Sequence, residues 1–172
     1  PLDREARQRG TSVYLVDKVI PMLPEQLSNG VCSLRSGEDR LTFSVFMTFD
    51  AKGRMIERRF ARTRIRSALR LNYEQAMAII SDQPPEGLET VPDGARILLK
   101  EGWRLAAQLR KQRFSMAALD LEVPEAEVVL DDQSRMTGIV IRPYDESHQL
   151  IEEFMVAANE AVATELWTRG IK

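Results

Sequence analysis

Apolar positions recur along this chain with two periods, and the period switches wherever turn-forming residues cluster. The clearest helical period runs from Leu150 to Ala163, LIEEFMVAANEAVA. At 100° per residue, Leu150, Ile151, Phe154, Met155, Ala158, Val162 and Leu166 gather on one apolar stripe. Glu153 and Glu160 fall on the far side and read as solvated, whereas Glu152 and Asn159 stand one above the other at the margin of the stripe. Asp145 or Ser147 is placed to cap this helix, and acids in its first turns oppose the positive end of its dipole. Ala95 to Arg113 is a second long helix, with Leu98, Gly102, Leu105 and Leu109 on a seam and basic residues around it. Two shorter helices are predicted, Leu2 to Gly10 ended by its glycine and Asn72 to Ser81 capped by its asparagine. The latter carries Tyr73, Ala76, Met77 and Ile80 at helical spacing.

The two-residue period marks the strands. Leu41 to Phe49, LTFSVFMTF, places Leu41, Phe43, Val45, Met47 and Phe49 on one face and reads as a half-buried strand. DAKG then turns the chain, with Gly53 where a positive φ is wanted, and Met55 to Arg66 returns as the partner. Leu119 to Leu130 and Met136 to Ile141 form a second hairpin across DDQSR. Asp131 and Asp132 are read there as turn residues rather than metal ligands. Thr11 to Ile20 is β-branched and extended, and PEQLSNG is a short helix ended by Asn29 and Gly30. Strands grouped in hairpins among several helices define an α+β fold.

Composition narrows the class without naming it. A chain of 172 residues, 44% hydrophobic and 29% charged, is globular and large enough for one domain. Its first residue is Pro1 and its opening LDREARQRG already reads as helix, so the chain is expected to be a piece of something longer. No apolar run reaches membrane-spanning length, and the cytoplasm is the default compartment. The single cysteine, Cys32, excludes an internal disulfide and is expected to be a buried, inert thiol. Signatures of a phosphate loop, a dinucleotide fold, a zinc site or a serine nucleophile are absent from the sequence.

Net charge is −2, yet Arg54 to Arg70 holds seven arginines while Asp120 to Asp132 is acid-rich. On the second strand Arg62, Arg64 and Arg66 share one face at a spacing of about 6.6 Å, a pitch at which guanidinium groups could follow a phosphate backbone or simply face solvent. Tyr14 could be a core tyrosine with a bonded hydroxyl, and Tyr73 could be core or present its hydroxyl to a cleft.

Several blocks together resemble the central part of the catalytic domain of the ribonuclease II and ribonuclease R family. They are LDREARQRGTSVYLVDKVIPMLPEQLSNGVCSL, then RSALRLNYEQ, ALDLEVPEAEVVLD and LIEEFMVAANEAVA, in the family's order. The resemblance implies a 3′-to-5′ processive hydrolytic exoribonuclease that degrades single-stranded RNA to nucleoside 5′-monophosphates. It implies two magnesium ions held by an aspartate cluster that precedes the LDREA block, and an arginine-containing segment that follows the LIEEFM helix. This chain contains neither, so on the resemblance it is a partial catalytic domain, inactive alone, forming the wall of the RNA channel. Tyr14 matches a tyrosine that stacks near the 3′-terminal nucleotides, Tyr73 one near the ribose, and Glu152 a glutamate that contacts a ribose hydroxyl. Leu121 stands where better-known members carry the phenylalanine of the base clamp, so that surface is apolar but not aromatic. The alternative is a free-standing, non-catalytic module that binds single-stranded RNA.

Overall fold

The computed structural model describes residues 1–116, 118–119, 126–141 and 144–171. In chain order these are α1 (Leu2–Arg9), β1 (Val13–Tyr14), β2 (Val19–Ile20), a π-helical turn (Gln26–Val31), β3 (Asp39–Phe49) and β4 (Met55–Arg66). Then come α2 (Tyr73–Ile80), α3 (Asp93–Ser115), β5 (Ala126–Leu130), β6 (Met136–Ile141) and α4 (Glu146–Thr168). Among the described residues the strands pair only as antiparallel neighbours, β1 with β2, β3 with β4 and β5 with β6. The α+β class is therefore as expected.

Local chemistry explains the element ends. Asn72 Oδ1 accepts from the Gln75 backbone N at 2.7 Å while Gln75 Oε1 accepts from the Asn72 N at 3.1 Å, a reciprocal cap that starts α2. Asp145, not Ser147, caps α4 by accepting from the Ser147 N at 3.0 Å. The two long hairpins turn on one device. Asp50 accepts from the backbone N of Lys52 and Arg54 at 2.8 and 2.9 Å, and Asp131 accepts from those of Gln133 and Arg135, both at 2.9 Å. Each turn passes through positive φ, at Gly53 (78°) and Ser134 (57°).

The core lies where α2, α3 and α4 meet, around Ile79, Ala106, Leu109, Leu150, Ala157 and Ala161. Alanines and Gly102 let the helices approach: a Cβ on Gly102 would lie 3.6 Å from the Phe154 ring and 3.8 Å from Leu150. The β3–β4 hairpin docks on this layer by its turn end. Gly53 is buried there, and a Cβ on it would meet Gln112 Oε1 at 3.1 Å and Gln108 Cγ at 3.2 Å.

Tertiary context overrides several periodic expectations. On α4 the buried residues are Ser147, Leu150, Glu153, Ala157 and Ala161, a stripe rotated from the one the apolar pattern predicts. Glu153, expected in solvent, is 2% exposed, whereas Met155 is 60% exposed. The neighbour decides this: α3 presents small residues and arginines, which accept a carboxylate and small side chains better than a row of large aliphatics. On α3, Leu98 lies outside while Ala106 is fully buried.

On β3 the register pairs Leu41 with Arg64, Phe43 with Arg62, and Val45 with Phe60. Val45, Met47 and Phe49 are half-buried near the turn, but Leu41 and Phe43, far from it, are 88% and 73% exposed. There the opposite face is the more covered one, with the Thr63 hydroxyl 2.7 Å from that of Thr42 and 2.6 Å from that of Ser44. The helix expected in PEQLSNG is a π-helical turn that continues past Gly30, and Cys32 at its end is exposed rather than buried. The long strand expected over Leu119 to Leu130 is, among the described residues, Ala126–Leu130.

Candidate nucleic-acid interface

Tyr73 and Glu152, distant in sequence, are joined in space through the first turn of α4. The cap at Asn72 makes Tyr73 the first residue of α2, from where its ring reaches His148. The two rings stack with centroids 3.8 Å apart and planes 18° from parallel. His148 is held in turn by Asp145, whose Oδ1 lies 2.9 Å from Nδ1. One helical turn further along the same face stands Glu152. The Tyr144 hydroxyl donates to Glu152 Oε2, and the Tyr144 ring is tilted against His148 at 5.7 Å.

Glu152 is fixed from its other side by α3. Arg113 Nη2 donates to Glu152 Oε1 at 2.9 Å and to Glu153 Oε1 at 2.6 Å. Arg110 Nη1 lies 3.8 Å from the same Glu153 oxygen. Both guanidinium groups also sit over the Phe114 ring, at 4.5 Å for Arg110 and 5.0 Å for Arg113. Adjacent acids on α4 therefore divide: Glu153 is buried against two arginines, and Glu152 keeps a partly exposed carboxylate that shares one of them.

The electrostatics follow from these contacts. The hydrogen bond to Glu153, with Glu152 adding to it, raises the Arg113 pKa above its ordinary value, so the guanidinium is charged throughout. Burial, together with donation to the Glu152 carboxylate, pushes the Tyr144 phenol up to about 12. Burial also pushes the Asp145 carboxyl up, but hydrogen bonds from Ser147 and His148 outweigh it and leave the group below its ordinary value. Near neutral pH the cluster thus offers an ionised Asp145 and a neutral phenol.

Tyr14 and the three β4 arginines make other contacts. Tyr14, on β1, is 78% exposed, and its hairpin is pinned at the base by Arg9 Nη1 donating to the Pro21 carbonyl at 2.7 Å and by the Met22 N donating to Ser12 Oγ at 3.0 Å. No ring contact or hydrogen bond joins the Tyr14 side chain to the Tyr73 cluster. Arg62, Arg64 and Arg66 share the exposed face of β4. Arg66 Nε donates to Asp39 Oδ1 at 2.7 Å and Arg64 lies 3.7 Å from Asp39 Oδ2, while Arg62 has no ion-pair partner among the described residues. Leu121 lies outside the described residues.

Sequence reasoning missed Tyr144 and His148 as members of the site. Their spacing from Glu152, eight and four residues, would have put them with it on one side of α4 and its cap. Among the described residues no three His, Cys, Asp or Glu side chains gather as metal ligands. The donors needed for the magnesium that the resemblance implies are not assembled by these residues. No helix among the described residues is long and apolar enough to cross a membrane.

The Tyr73–His148 ring stack and the partly exposed Glu152 carboxylate thus form one polar cluster where α2 meets the start of α4. The chain belongs to the RNB domain family, which it matches over residues 1–172. It is 45% identical to ribonuclease R of Thermotoga maritima over 163 residues, covering 94% of this chain and 22% of that protein. It is 39% identical to ribonuclease R of Aquifex aeolicus over 170 residues, covering 98% of this chain and 24% of that protein. Among solved structures, Mycoplasma genitalium RNase R in complex with ribose-methylated single-stranded RNA superposes with a TM-score of 0.91 at 30% identity, over 98% of this chain and 26% of that one. The chain thus spans about a quarter of the length of such relatives.

Proposed function

We propose that these residues form part of the RNA-channel wall of a 3′-to-5′ exoribonuclease, and that the intact protein hydrolyses single-stranded RNA processively to nucleoside 5′-monophosphates. The observation that supports this reading is that Tyr73 and Glu152, from different helices, are linked through His148 and Tyr144. On the resemblance, these two residues match ribose-facing positions of the family. A carboxylate with free acceptor capacity can take a hydrogen bond from a 2′-hydroxyl, which DNA lacks. Tyr14 supplies an exposed flat ring for stacking on any base, and Leu121, by its match to the family's clamp position, an apolar side chain. Arg62, Arg64 and Arg66 supply phosphate contacts.

On this reading the 172-residue stretch is a partial RNB domain whose own groups bind and orient the strand. Magnesium, held by carboxylates elsewhere in the intact protein, would activate the attacking water, and the reaction would take place in the cytoplasm. The test uses intact protein and 5′-labelled single-stranded RNA with magnesium present. The expected result is progressive shortening from the 3′ end, release of nucleoside 5′-monophosphates, and arrest by EDTA. Binding without shortening would instead favour the non-catalytic RNA-binding module.

A further inference from the structure

We infer that His148 is a positioning residue for ribose recognition: its imidazole face, tethered by Asp145, fixes the Tyr73 ring relative to the Glu152 carboxylate. The inference rests on the proposed reading of Tyr73 and Glu152 as ribose contacts.

Tyr73 needs such a support. It stands at the first position of α2 with its side chain nearly half exposed, so no surrounding core selects its orientation. The exposed ring packs face to face on the imidazole, with centroids 3.8 Å apart and planes 18° from parallel. His148 is itself over-determined. Its backbone N donates to the Asp145 carbonyl at 3.1 Å, and its Nδ1 lies 2.9 Å from Asp145 Oδ1. That carboxylate oxygen also accepts from the Ser147 N at 3.0 Å, so the group that starts α4 is the group that sets the imidazole plane.

Glu152 takes its position from the same helix, with Arg113 and the Tyr144 hydroxyl fixing its two oxygens. Both proposed ribose contacts are thereby referenced to one helical turn, although Tyr73 belongs to another helix. The His148 side chain remains 23% exposed, and the contacts that orient it are the Tyr73 and Tyr144 rings and the Asp145 carboxylate. An ionised Asp145 accepting from Nδ1 selects the tautomer with the proton on that nitrogen and holds the ring in one plane.

The test compares equilibrium affinities of the intact protein, in EDTA to prevent hydrolysis, for one oligonucleotide made as RNA and as DNA. The readout is the ratio of the two, which a general loss of stability does not move. His148→Ala, verified folded by thermal melting, is expected to lower this ratio about tenfold or more, the scale of one misplaced hydrogen bond to a charged group. His148→Phe keeps a flat face for Tyr73 and is expected to restore most of the ratio. If His148→Ala fails to fold, His148→Leu replaces it, filling the space without a flat face and with the same expected loss.

A folded His148→Ala or His148→Leu protein with an unchanged ratio would overturn the inference, and so would a phenylalanine variant as impaired as the alanine one. Failure of the underlying reading looks different. In that case Glu152→Gln and Tyr73→Ala would also leave the ratio unchanged. If those two lower it while His148→Ala does not, ribose recognition stands and His148 has no part in it. Tyr14→Ala serves as a control, since loss of base stacking should weaken RNA and DNA alike.

Discussion

Arg110 and Arg113 on α3 and Arg62, Arg64 and Arg66 on β4 are the same kind of side chain in opposite settings. The α3 pair converges on Glu153, a carboxylate 2% exposed, and lies over Phe114. The β4 set stands on an open sheet face, where Asp39 engages Arg64 and Arg66 and leaves Arg62 without an ion pair among the described residues. A largely covered guanidinium on a buried carboxylate is committed to the fold, because separating the two leaves the carboxylate desolvated and unpaired. An exposed one contributes little to stability and remains available to a phosphate. A count of basic residues treats the two sets as equal, whereas their surroundings commit one to the fold and leave the other facing solvent.

The strongest way to break this contrast is Glu153→Ala. It removes the buried carboxylate that both guanidinium groups share, leaving Arg113 its bond to Glu152, and should cost about 2–3 kcal/mol of stability, read as a shift of the urea midpoint at constant slope. A loss below about 1 kcal/mol would mean that water solvates these arginines as well as it does those on β4. Next in size is Gly53→Ala, at the junction where the hairpin meets α3. The substitution forces a side chain into positive φ and puts its Cβ 3.1–3.2 Å from Gln112 and Gln108. About 1–3 kcal/mol should be lost. Ser134, which adopts the same backbone region without such crowding, offers the control: Ser134→Gly should be neutral or slightly stabilising.

Acid and alkali probe the α4 end of the closed region. Asp145 has a depressed folded-state pKa, so its contribution is fully present above the unfolded carboxylate value of about 3.9 and disappears as pH falls through the lower folded value. Tyr144 has the opposite sign. Its phenol, raised to about 12, contributes fully below the unfolded value near 10 and loses that contribution as pH climbs toward 12. Tyr144→Phe should remove the alkaline limb of the stability profile and leave the acid limb unchanged. Survival of the alkaline limb in that variant would assign it to another group.

What could be read from sequence alone was local. The cap at Asn72, the positive φ at Gly53 and the hairpin flanked by Leu41 to Phe49 and Met55 to Arg66 each depend on a few neighbouring residues, and each is found. Burial of Glu153, exposure of Leu41 and Phe43, and exposure of Cys32 depend on what lies across from them in space. No period along one segment contains that information. The site divides in the same way. Motifs pointed to Tyr73 and Glu152, but the link through His148 and Tyr144 exists only because the α2 cap aims Tyr73 at the first turn of α4.

The smallest expected effects lie on the open face, and they separate its three arginines. Arg62→Ala should change stability by less than about 0.5 kcal/mol. If Arg62 contacts a phosphate, the plot of log affinity for single-stranded RNA against log salt should become shallower by about 0.7, one cation's share for a single strand. Arg64 and Arg66 start from a different reference state. Asp39 already acts as their internal counterion, at 3.7 Å from Arg64 and 2.7 Å from Arg66, so contacts made there neutralise less phosphate charge and release fewer counterions from the RNA. Asp39→Asn should therefore tighten RNA binding at low salt and steepen the salt slope, with little change in folding stability. A slope indifferent to both Arg62→Ala and Asp39→Asn would remove the β4 face from the RNA path and leave strand binding to Tyr14 and the Tyr73–Glu152 cluster.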